Sequence, residues 1–271
     1  MILDKAKIKK HFSRAAVAYD NSALFQKRWG EKMLKEVLKR EKNPERILDI
    51  GSGTGRVSLQ LSTIYPRAFI LGLDLAGGMV SYAVEKKTKA NLTHLFFGQA
   101  EAEYLPLPNN SFDLVISNLT YQWVEDLESA FGEVFRVLRK GKSFYFTTLG
   151  EGSLQELSFS FAEAHRRLKG PSLPHGQDFM REDELKRFLR ETNFSQPKVS
   201  LSREKNYYPG VISLLKWLKK VGANNALEEM SPGGRSPGLI REMMKIYEEK
   251  YRTNGSIPAS FRVISGQGKK E

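Results

Sequence analysis

The chain has 271 residues, and its 43 lysines and arginines outnumber its 31 aspartates and glutamates, for a formal net charge of +12. It contains no cysteine, which excludes disulfides, thiolate zinc sites and cysteine nucleophiles. Its N-terminal residues lack the apolar core of a signal peptide, and no stretch approaches the roughly 20 apolar residues of a membrane span. We therefore expect one globular domain over residues 1–271 that is cytoplasmic, has no membrane partner and binds no metal.

The first 44 residues are predicted to form two helices. Apolar residues recur at helical spacing from Lys5 to Asp20, and a second helical pattern runs from Leu24 to Arg40. Residues 1–46 hold 13 basic and 6 acidic side chains. This excess is compatible with a polyanionic partner and equally with a solvated basic surface.

A glycine-rich motif follows the first predicted strand. Ile47-Leu48-Asp49-Ile50 has the apolar character of a parallel strand covered on both faces, and Gly51-Ser52-Gly53-Thr54-Gly55 comes next. A helical pattern begins after this turn, which therefore lies at a predicted helix N-terminus. The spacing departs from the Gly-x-Gly-x-x-Gly of dinucleotide sites, because the third glycine comes one residue early. The Asp49 carboxylate would also repel a pyrophosphate, and it favours a cationic or amino-acid ligand.

The second predicted strand, Phe69 to Asp74, ends in an acid about twenty residues after the glycines. Asp74 is placed to accept hydrogen bonds from both hydroxyls of a ribose. Together, the two motifs resemble the class I S-adenosylmethionine methyltransferases. The resemblance implies S-adenosylmethionine as the cofactor. It also implies a cofactor site built from both motifs and from the ends of later strands: Asp49, Gly51, Ser52, Gly53, Gly55, Asp74, Leu75, Gln99, Ala100 and Asn118.

Gln99 stands where most members of that superfamily have an aspartate. It directly follows the third predicted strand, Thr93 to Gly98. An aspartate there would accept a hydrogen bond from the adenine amino group, and the side-chain carbonyl of Gln99 can do the same without charge. Gly77 and Gly78 leave two readings open, because they could permit a close approach to the ribose or belong to a relaxed loop.

The fourth predicted strand, Phe112 to Asn118, ends where a class I enzyme faces its reacting methyl group, since ligands collect at the carboxyl ends of parallel strands. Asn118 and Gln122 are therefore candidate catalytic residues. The segment lacks the Pro-Pro-aromatic run of amino-methylating nucleic-acid enzymes, which argues against a nucleic-acid partner. Trp123 is either part of the site or simply a packed aromatic.

The N-terminal segment carries a more specific resemblance. Phe12-Ser13-Arg14-Ala15-Ala16, with Tyr19-Asp20, Ala23 and Gln26, resembles the signature of malonyl-acyl-carrier-protein O-methyltransferases of biotin synthesis. Gln122-Trp123 and stretches in the C-terminal half resemble the same family, so the similarity spans nearly the whole chain. In that family the N-terminal segment folds over the cofactor and lines the substrate entrance. The resemblance makes Arg14 and Tyr19 candidates to hold the substrate carboxylate, against the alternative of a core helix with one exposed arginine.

The remaining pattern completes an α/β fold. We predict strands at Lys142 to Leu149, Lys198 to Tyr207 and Ile257 to Ser265, with helices near 153–168, 182–192, 210–220 and 237–251. His175, in a loop rich in Pro and Gly, is expected to be exposed. The expected fold is the class I methyltransferase (Rossmann-like) seven-stranded sheet, with the last strand antiparallel, helices on both faces and a helical cap. Its parts would be N-terminal cap helices at 1–44, a cofactor-binding core at 45–150 and a cap insertion at 208–253.

The family resemblance implies methyl transfer from S-adenosylmethionine to the free carboxylate of a malonyl thioester, carried on acyl-carrier protein or coenzyme A. The methyl ester would prime pimeloyl and biotin synthesis. A carboxyl with a pKa near 4 is already ionised at neutral pH, so no general base is required. Two other readings stay open: a small-molecule or quinone C-methyltransferase, and an assembly-factor-like relative that transfers no methyl group.

Overall fold

The structure, a computed structural model, describes residues 4–169, 179–223 and 237–271. Within them, seven strands form one sheet in the order β3-β2-β1-β4-β5-β7-β6, and β7 runs antiparallel to both of its neighbours. The strands are β1 Arg46–Ile50, β2 Phe69–Asp74, β3 Leu95–Gln99, β4 Phe112–Asn118, β5 Leu138–Leu149, β6 Ser195–Tyr208 and β7 Ile257–Lys269.

The helices are α1 Lys5–Ser22, α2 Leu24–Arg40, α3 Arg56–Ile64, α4 Gly77–Lys89, α5 Leu127–Val137, α6 Gln155–Lys169, α7 Glu182–Glu191, α8 Val211–Lys220 and α9 Pro237–Tyr251, with a 3-10 turn at Tyr121–Trp123. No helix of these ranges is long and apolar enough to cross a lipid bilayer. His175 lies outside the described residues.

The apolar strands divide their side chains between two cores. Ile47 packs with α2 and α3 on one face of the sheet, whereas its neighbour Leu48 packs with α5 and α7 on the other. Leu114 and Val115 in β4 alternate in the same way, because successive side chains of a strand point to opposite faces. The predicted helices on both faces of the sheet are therefore confirmed.

The start of β5 and the end of β7 differ from the prediction because residues far apart in the chain pair there. Arg139-Lys140-Gly141 has the composition of a turn, yet β5 already begins at Leu138. Gly141 adopts a φ of 75° inside the strand, and its N–H donates to the Lys270 carbonyl at 2.6 Å. This pairing also extends β7 to Lys269, beyond the predicted end at Ser265. A partner so distant in the chain leaves no local signal.

Helix α1 lies across α4, and Gly78 of α4 lies where the two helices meet. A Cβ on Gly78 would lie 2.6 Å from the carbonyl oxygen of Ser13, so a side chain there would push α1 away. The Gly78 N–H donates to Ser13 Oγ at 3.2 Å. Gly78 thus serves the contact between two helices, a role that neither sequence-based reading named.

An ionic cluster fixes the C-terminal end of α1. Asp20 accepts hydrogen bonds from Thr54 Oγ1 at 2.6 Å and from Lys86 Nζ at 2.7 Å, and Arg56 donates to its backbone carbonyl at 3.0 Å. Burial alone would raise the pKa of Asp20, but Lys86, Thr54 and Arg56 outweigh it and hold that pKa below its usual value. The cluster joins α1 to the glycine-rich turn and to α4.

Helices α6, α8 and α9 cover the β7 side of the sheet. They share one apolar core with the first residues of β7 and with Phe25 and Trp29 of α2. Helix α8 also contacts α1, and Trp217 Nε1 in α8 donates to the Ser22 carbonyl at 2.9 Å. Helix α8, at the start of the predicted cap, therefore meets the N-terminal helices. Residues 224–236, between α8 and α9, lie outside the described part.

Asp49 is an acid buried inside this fold. Its side chain is 1% exposed and accepts a hydrogen bond from Ser58 Oγ at 2.5 Å. Burial raises the pKa of Asp49 to about 7, and the nearby Asp74 carboxylate adds to the rise. Because the folded pKa exceeds the unfolded one, the folded state holds an extra proton between about pH 4 and about pH 7, and stability falls as the pH rises through that window.

We predict that Asp49→Asn removes this dependence. Asn keeps an acceptor for Ser58 without a charge, so the variant should gain free energy of unfolding relative to the wild type between pH 4 and pH 8. The full difference is on the order of 4 kcal/mol at most, since one pKa unit corresponds to about 1.4 kcal/mol. Urea unfolding of both proteins at several pH values measures it. Parallel stability curves for the two proteins would contradict the assigned pKa.

Candidate functional site

A cleft runs along the edge of the sheet where β1, β2, β4 and β5 end. We call it the central cleft. One end lies beside β2 and is polar, with Gly53 and Asp74 in its wall. The other end lies beside β5 and the start of β7 and is apolar, lined by Phe12, Phe25, Leu149, Leu154, Phe179, Trp217, Leu218, Val221 and Phe261. Asn118, at the end of β4, lies between the two ends because β4 separates β1 from β5 in the sheet.

The glycine-rich turn forms the floor of the polar end. The N–H groups of Gly51 and Ser52 both donate to the Leu73 carbonyl, at 2.7 and 2.9 Å. Gly51 has a φ of 70°, and a Cβ there would lie 2.1 Å from Thr120 Oγ1, so this position requires glycine. A Cβ on Gly53 would meet no atom within 4 Å among the described residues. The backbone at Gly53 is therefore open to a ligand in the cleft.

Three other members of the predicted cofactor set lie behind this floor. Gly55 is the N-cap of α3 and packs against Phe97, so it shapes the turn rather than the cleft wall. Asp49 also lies beneath the turn and does not line the cleft. Ser52 Oγ is buried and has no hydrogen-bond partner among the residues that the structure describes. Ser52 does not line the cleft, and its Cβ lies close to Gly72 of β2.

Asp74 closes the polar end. Its two carboxylate oxygens accept hydrogen bonds from the N–H groups of Gly53 and Ala76, each at 2.8 Å. Burial raises the pKa of Asp74, while these two donors oppose the rise. Each oxygen of a carboxylate can accept more than one hydrogen bond, so Asp74 retains acceptor capacity for a ligand. Leu75 and Ala100 line the same end of the cleft.

Gln99 is not in the cleft wall. It ends β3, the edge strand of the sheet, and its side chain is exposed. The residues that follow Gln99 do contribute to the cleft wall, which Glu101 and Glu103 both line. Both acids pair with Lys5 of α1, at 2.8 and 3.0 Å. The sequence-based role for Gln99 in binding adenine therefore lacks support from this arrangement.

Asn118 and Gln122 line the middle of the cleft, but protein groups occupy both ends of each amide. Asn118 Nδ2 donates to the Gln26 carbonyl at 3.0 Å, and its Oδ1 accepts from Thr147 Oγ1 at 2.8 Å. Gln122 Nε2 donates to the Leu119 carbonyl at 2.5 Å, and its Oε1 accepts from Thr148 Oγ1 at 3.0 Å. These contacts make both residues positioning groups for the cleft wall.

The structure separates the two residues predicted to hold a carboxylate. Tyr19 lines the cleft, and burial together with the Asp74 carboxylate raises its pKa, so it is a neutral phenol at physiological pH. Arg14 is exposed and does not line the cleft. The reason is helical geometry: Tyr19 is seven residues from Phe12 and shares its face, whereas Arg14 is two residues from Phe12, about 200° around the helix.

Several cleft residues were not singled out from the sequence. Trp217 and Phe261 enter the apolar end through long-range packing, which no local motif marks. Lys5 pairs with acids about a hundred residues away in the chain, so no local sequence pattern marks it as a cleft residue. Gln26 had a signal, since it belongs to the N-terminal signature, but its helical spacing alone gave it no role. Its side chain lines the cleft and is taken up below.

Comparisons with known proteins agree with this geometry. Residues 48–146 match the family model described as a methyltransferase domain. A curated malonyl-[acyl-carrier protein] O-methyltransferase from Geobacter sulfurreducens is 34% identical over 271 residues, covering 99% of this chain and all of the relative.

Solved structures agree on the fold. A putative methyltransferase from Bacillus halodurans has a TM-score of 0.64 at 13% identity, covering 89% of this chain and 98% of that one. Phosphoethanolamine N-methyltransferase 2 from Haemonchus contortus, solved with S-adenosyl-L-methionine, has a TM-score of 0.57 at 19% identity, covering 89% of this chain and 52% of that one. The predicted class I methyltransferase fold is confirmed, and the chain belongs to the malonyl-[acyl-carrier protein] O-methyltransferase family.

Proposed function

We propose that this protein uses S-adenosylmethionine to methylate the free carboxylate of a malonyl thioester held on acyl-carrier protein. The observation that carries the proposal is the divided central cleft. A glycine turn and an acid lie at one end, and a largely apolar channel leads from Asn118 to the other. Full-length similarity to enzymes named for malonyl-acyl-carrier protein supports the choice of substrate.

The residues at the polar end fit the cofactor. Asp74 has acceptor capacity for the ribose hydroxyls, and the open backbone at Gly53 permits a close approach. Leu75 and Ala100 offer apolar surface to a base. When bound there, the cofactor supplies an electrophilic methyl group on a positively charged sulfur.

The protein needs no general base for this reaction. A malonyl carboxyl is ionised at neutral pH, and both cleft acids nearest the mouth, Glu101 and Glu103, are paired with Lys5. The work of the protein is to align the carboxylate and to exclude water. Tyr19, a neutral phenol in the cleft wall, can donate a hydrogen bond to an anionic substrate without neutralising it.

The rim of the cleft carries cations that suit an acidic carrier. Lys9 lines the mouth on α1, with the exposed Lys10 beside it, and Lys219 and Lys220 end α8, which contacts α1. None of these four has an ion-pair partner among the residues described by the structure. Arg14 lies on the exposed side of the same helix, so we assign its charge to carrier docking and not to the chemistry.

The direct test is product analysis. Incubation with malonyl-carrier protein and methyl-labelled cofactor should give a labelled methyl ester, seen by mass spectrometry as a gain of one methyl on the malonyl group. A succinyl-carrier protein and a quinone precursor serve as comparison substrates. Labelled quinone without labelled malonyl ester would establish a C-methyltransferase instead. Cofactor binding without any methylated product would favour a non-methylating relative.

The cofactor site gives a second prediction. Asp74→Ala should weaken S-adenosylmethionine binding by roughly 10- to 150-fold, because hydrogen bonds to a charged group contribute about 1.5 to 3 kcal/mol. Calorimetry measures the dissociation constant. Asp74 also holds Gly53 and Ala76, so the variant must first show a native circular dichroism spectrum. A folded variant with wild-type affinity would remove Asp74 from the site.

The partner gives a third prediction. Acyl-carrier proteins are acidic, so added salt should lower kcat/KM for malonyl-carrier protein as the Debye length shrinks from about 10 Å at 0.1 M to about 3 Å at 1 M. Malonyl-coenzyme A, which lacks an acidic protein surface, should show a shallower slope. Lys219→Glu with Lys220→Glu should flatten the carrier slope, whereas Lys186→Glu on α7 should not. Equal slopes for both substrates would rule out docking through this rim.

A further inference from the structure

Gln26 presents an amide to the central cleft that the protein itself does not use. Its Oε1 is buried and has no hydrogen-bond donor within the described parts of the chain. Its Nε2 makes no hydrogen bond to a described residue either, and the side chain lines the cleft. Buried polar groups without partners are uncommon in folded proteins, and a ligand is one reason for keeping one.

The backbone of Gln26 is held at the centre of the cleft. Its carbonyl accepts from Asn118 Nδ2 at 3.0 Å, and Asn118 ends β4, between the polar and apolar ends. One turn later on the same face of α2, Gly30 packs close to the same amide, since a Cβ there would lie 3.4 Å from Asn118 Nδ2. These contacts fix where Gln26 stands while leaving its side chain without a structural bond.

The other amides of the cleft and the charge of Lys5 are already engaged, and Lys9, unpaired among the described residues, lies at the mouth of the cleft. Asn118 and Gln122 use both ends of their amides within the protein. Lys5 is paired with Glu101 and Glu103 at the mouth. The apolar end contributes no charged group among its described residues. Nε2 of Gln26 is therefore a neutral donor available where the two ends of the cleft meet, and Oε1 remains an acceptor for a donor of a ligand, because a carboxylate can only accept.

We propose that Gln26 binds the substrate carboxylate, with Nε2 donating a hydrogen bond to one oxygen while the other oxygen attacks. This inference rests on the proposed function. A lone pair of the free oxygen forms the O–C bond to the methyl carbon as the C–S bond breaks with its electron pair left on sulfur, and no proton is transferred. A neutral amide orients the carboxylate but leaves its negative charge, and hence its nucleophilicity, largely intact, as an arginine would not.

Two substitutions at this position test the proposal. Gln26→Leu keeps the size and removes the donor, so kcat/KM for malonyl-carrier protein should fall roughly 10- to 150-fold, the range for a lost hydrogen bond to a charged group. Gln26→Glu places a second carboxylate against the first, so the loss at pH 7.5 should be larger. It should partly recover towards pH 5.5 as the new carboxyl gains a proton, whereas the loss in Gln26→Leu should not.

The controls separate binding from structure and this proposal from the broader one. Cofactor affinity and thermal midpoint should stay near wild type in both variants, and Gln155→Leu, a change at an exposed glutamine of α6, should leave kcat/KM unchanged. Inactivity of the wild type on malonyl thioesters would refute the proposed function itself. An active wild type together with a Gln26→Leu variant within twofold of it, or a Gln26→Glu loss that is independent of pH, would overturn the role of Gln26 alone.

Discussion

The carbonyl of Leu73 and the carboxylate of Asp74, where β2 ends, satisfy the backbone of the glycine turn. Parallel strands leave polar groups unpaired where they end, and each buried one needs a partner. Here Gly51, Ser52 and Gly53 turn their N–H groups back onto β2. That constraint selects the left-handed backbone at Gly51 and Gly53, and it leaves the outer side of Gly53 uncovered. The surface that is open to a ligand thus results from the hydrogen bonds that the turn makes to β2.

The N-terminal helices convert this open edge into a cleft. Asp20 ties the end of α1 to Thr54 in the glycine turn and to Lys86 in α4, while Lys5 ties its beginning to Glu101 and Glu103. The two anchors differ in strength. Asp20 is largely enclosed and receives several donors, whereas the Lys5 pairs are partly exposed, and exposed pairs contribute little to stability. The beginning of α1 is therefore held less firmly than its C-terminal end.

Local signals made the polar end of the cleft predictable from sequence. A short apolar strand followed by glycines, and a second strand ending in an acid, each fit within about ten residues, and the structure places both at one edge. The structure places neither Arg14 nor Gln99 in the cleft wall, where the resemblance had put them. Helical spacing alone puts Arg14 opposite Phe12, and an edge strand exposes its terminal side chain. Gly78 and Gly141 could not be interpreted, since their reasons are Ser13 and Lys270, far along the chain.

The division of the cleft into a polar and an apolar end bears on the chemistry. A carboxylate and a sulfonium carry opposite charges that vanish together when the methyl moves, so the transition state is less polar than the separated reactants. Water would stabilise the separated ions and slow such a reaction, whereas a wall of Phe25, Trp217 and Phe261 does not. A cation beside the carboxylate would act against this gain by stabilising the reactant. The absence of charged side chains from the described apolar end, with neutral donors at Tyr19 and Gln26, is the arrangement that such a charge-neutralising transfer favours.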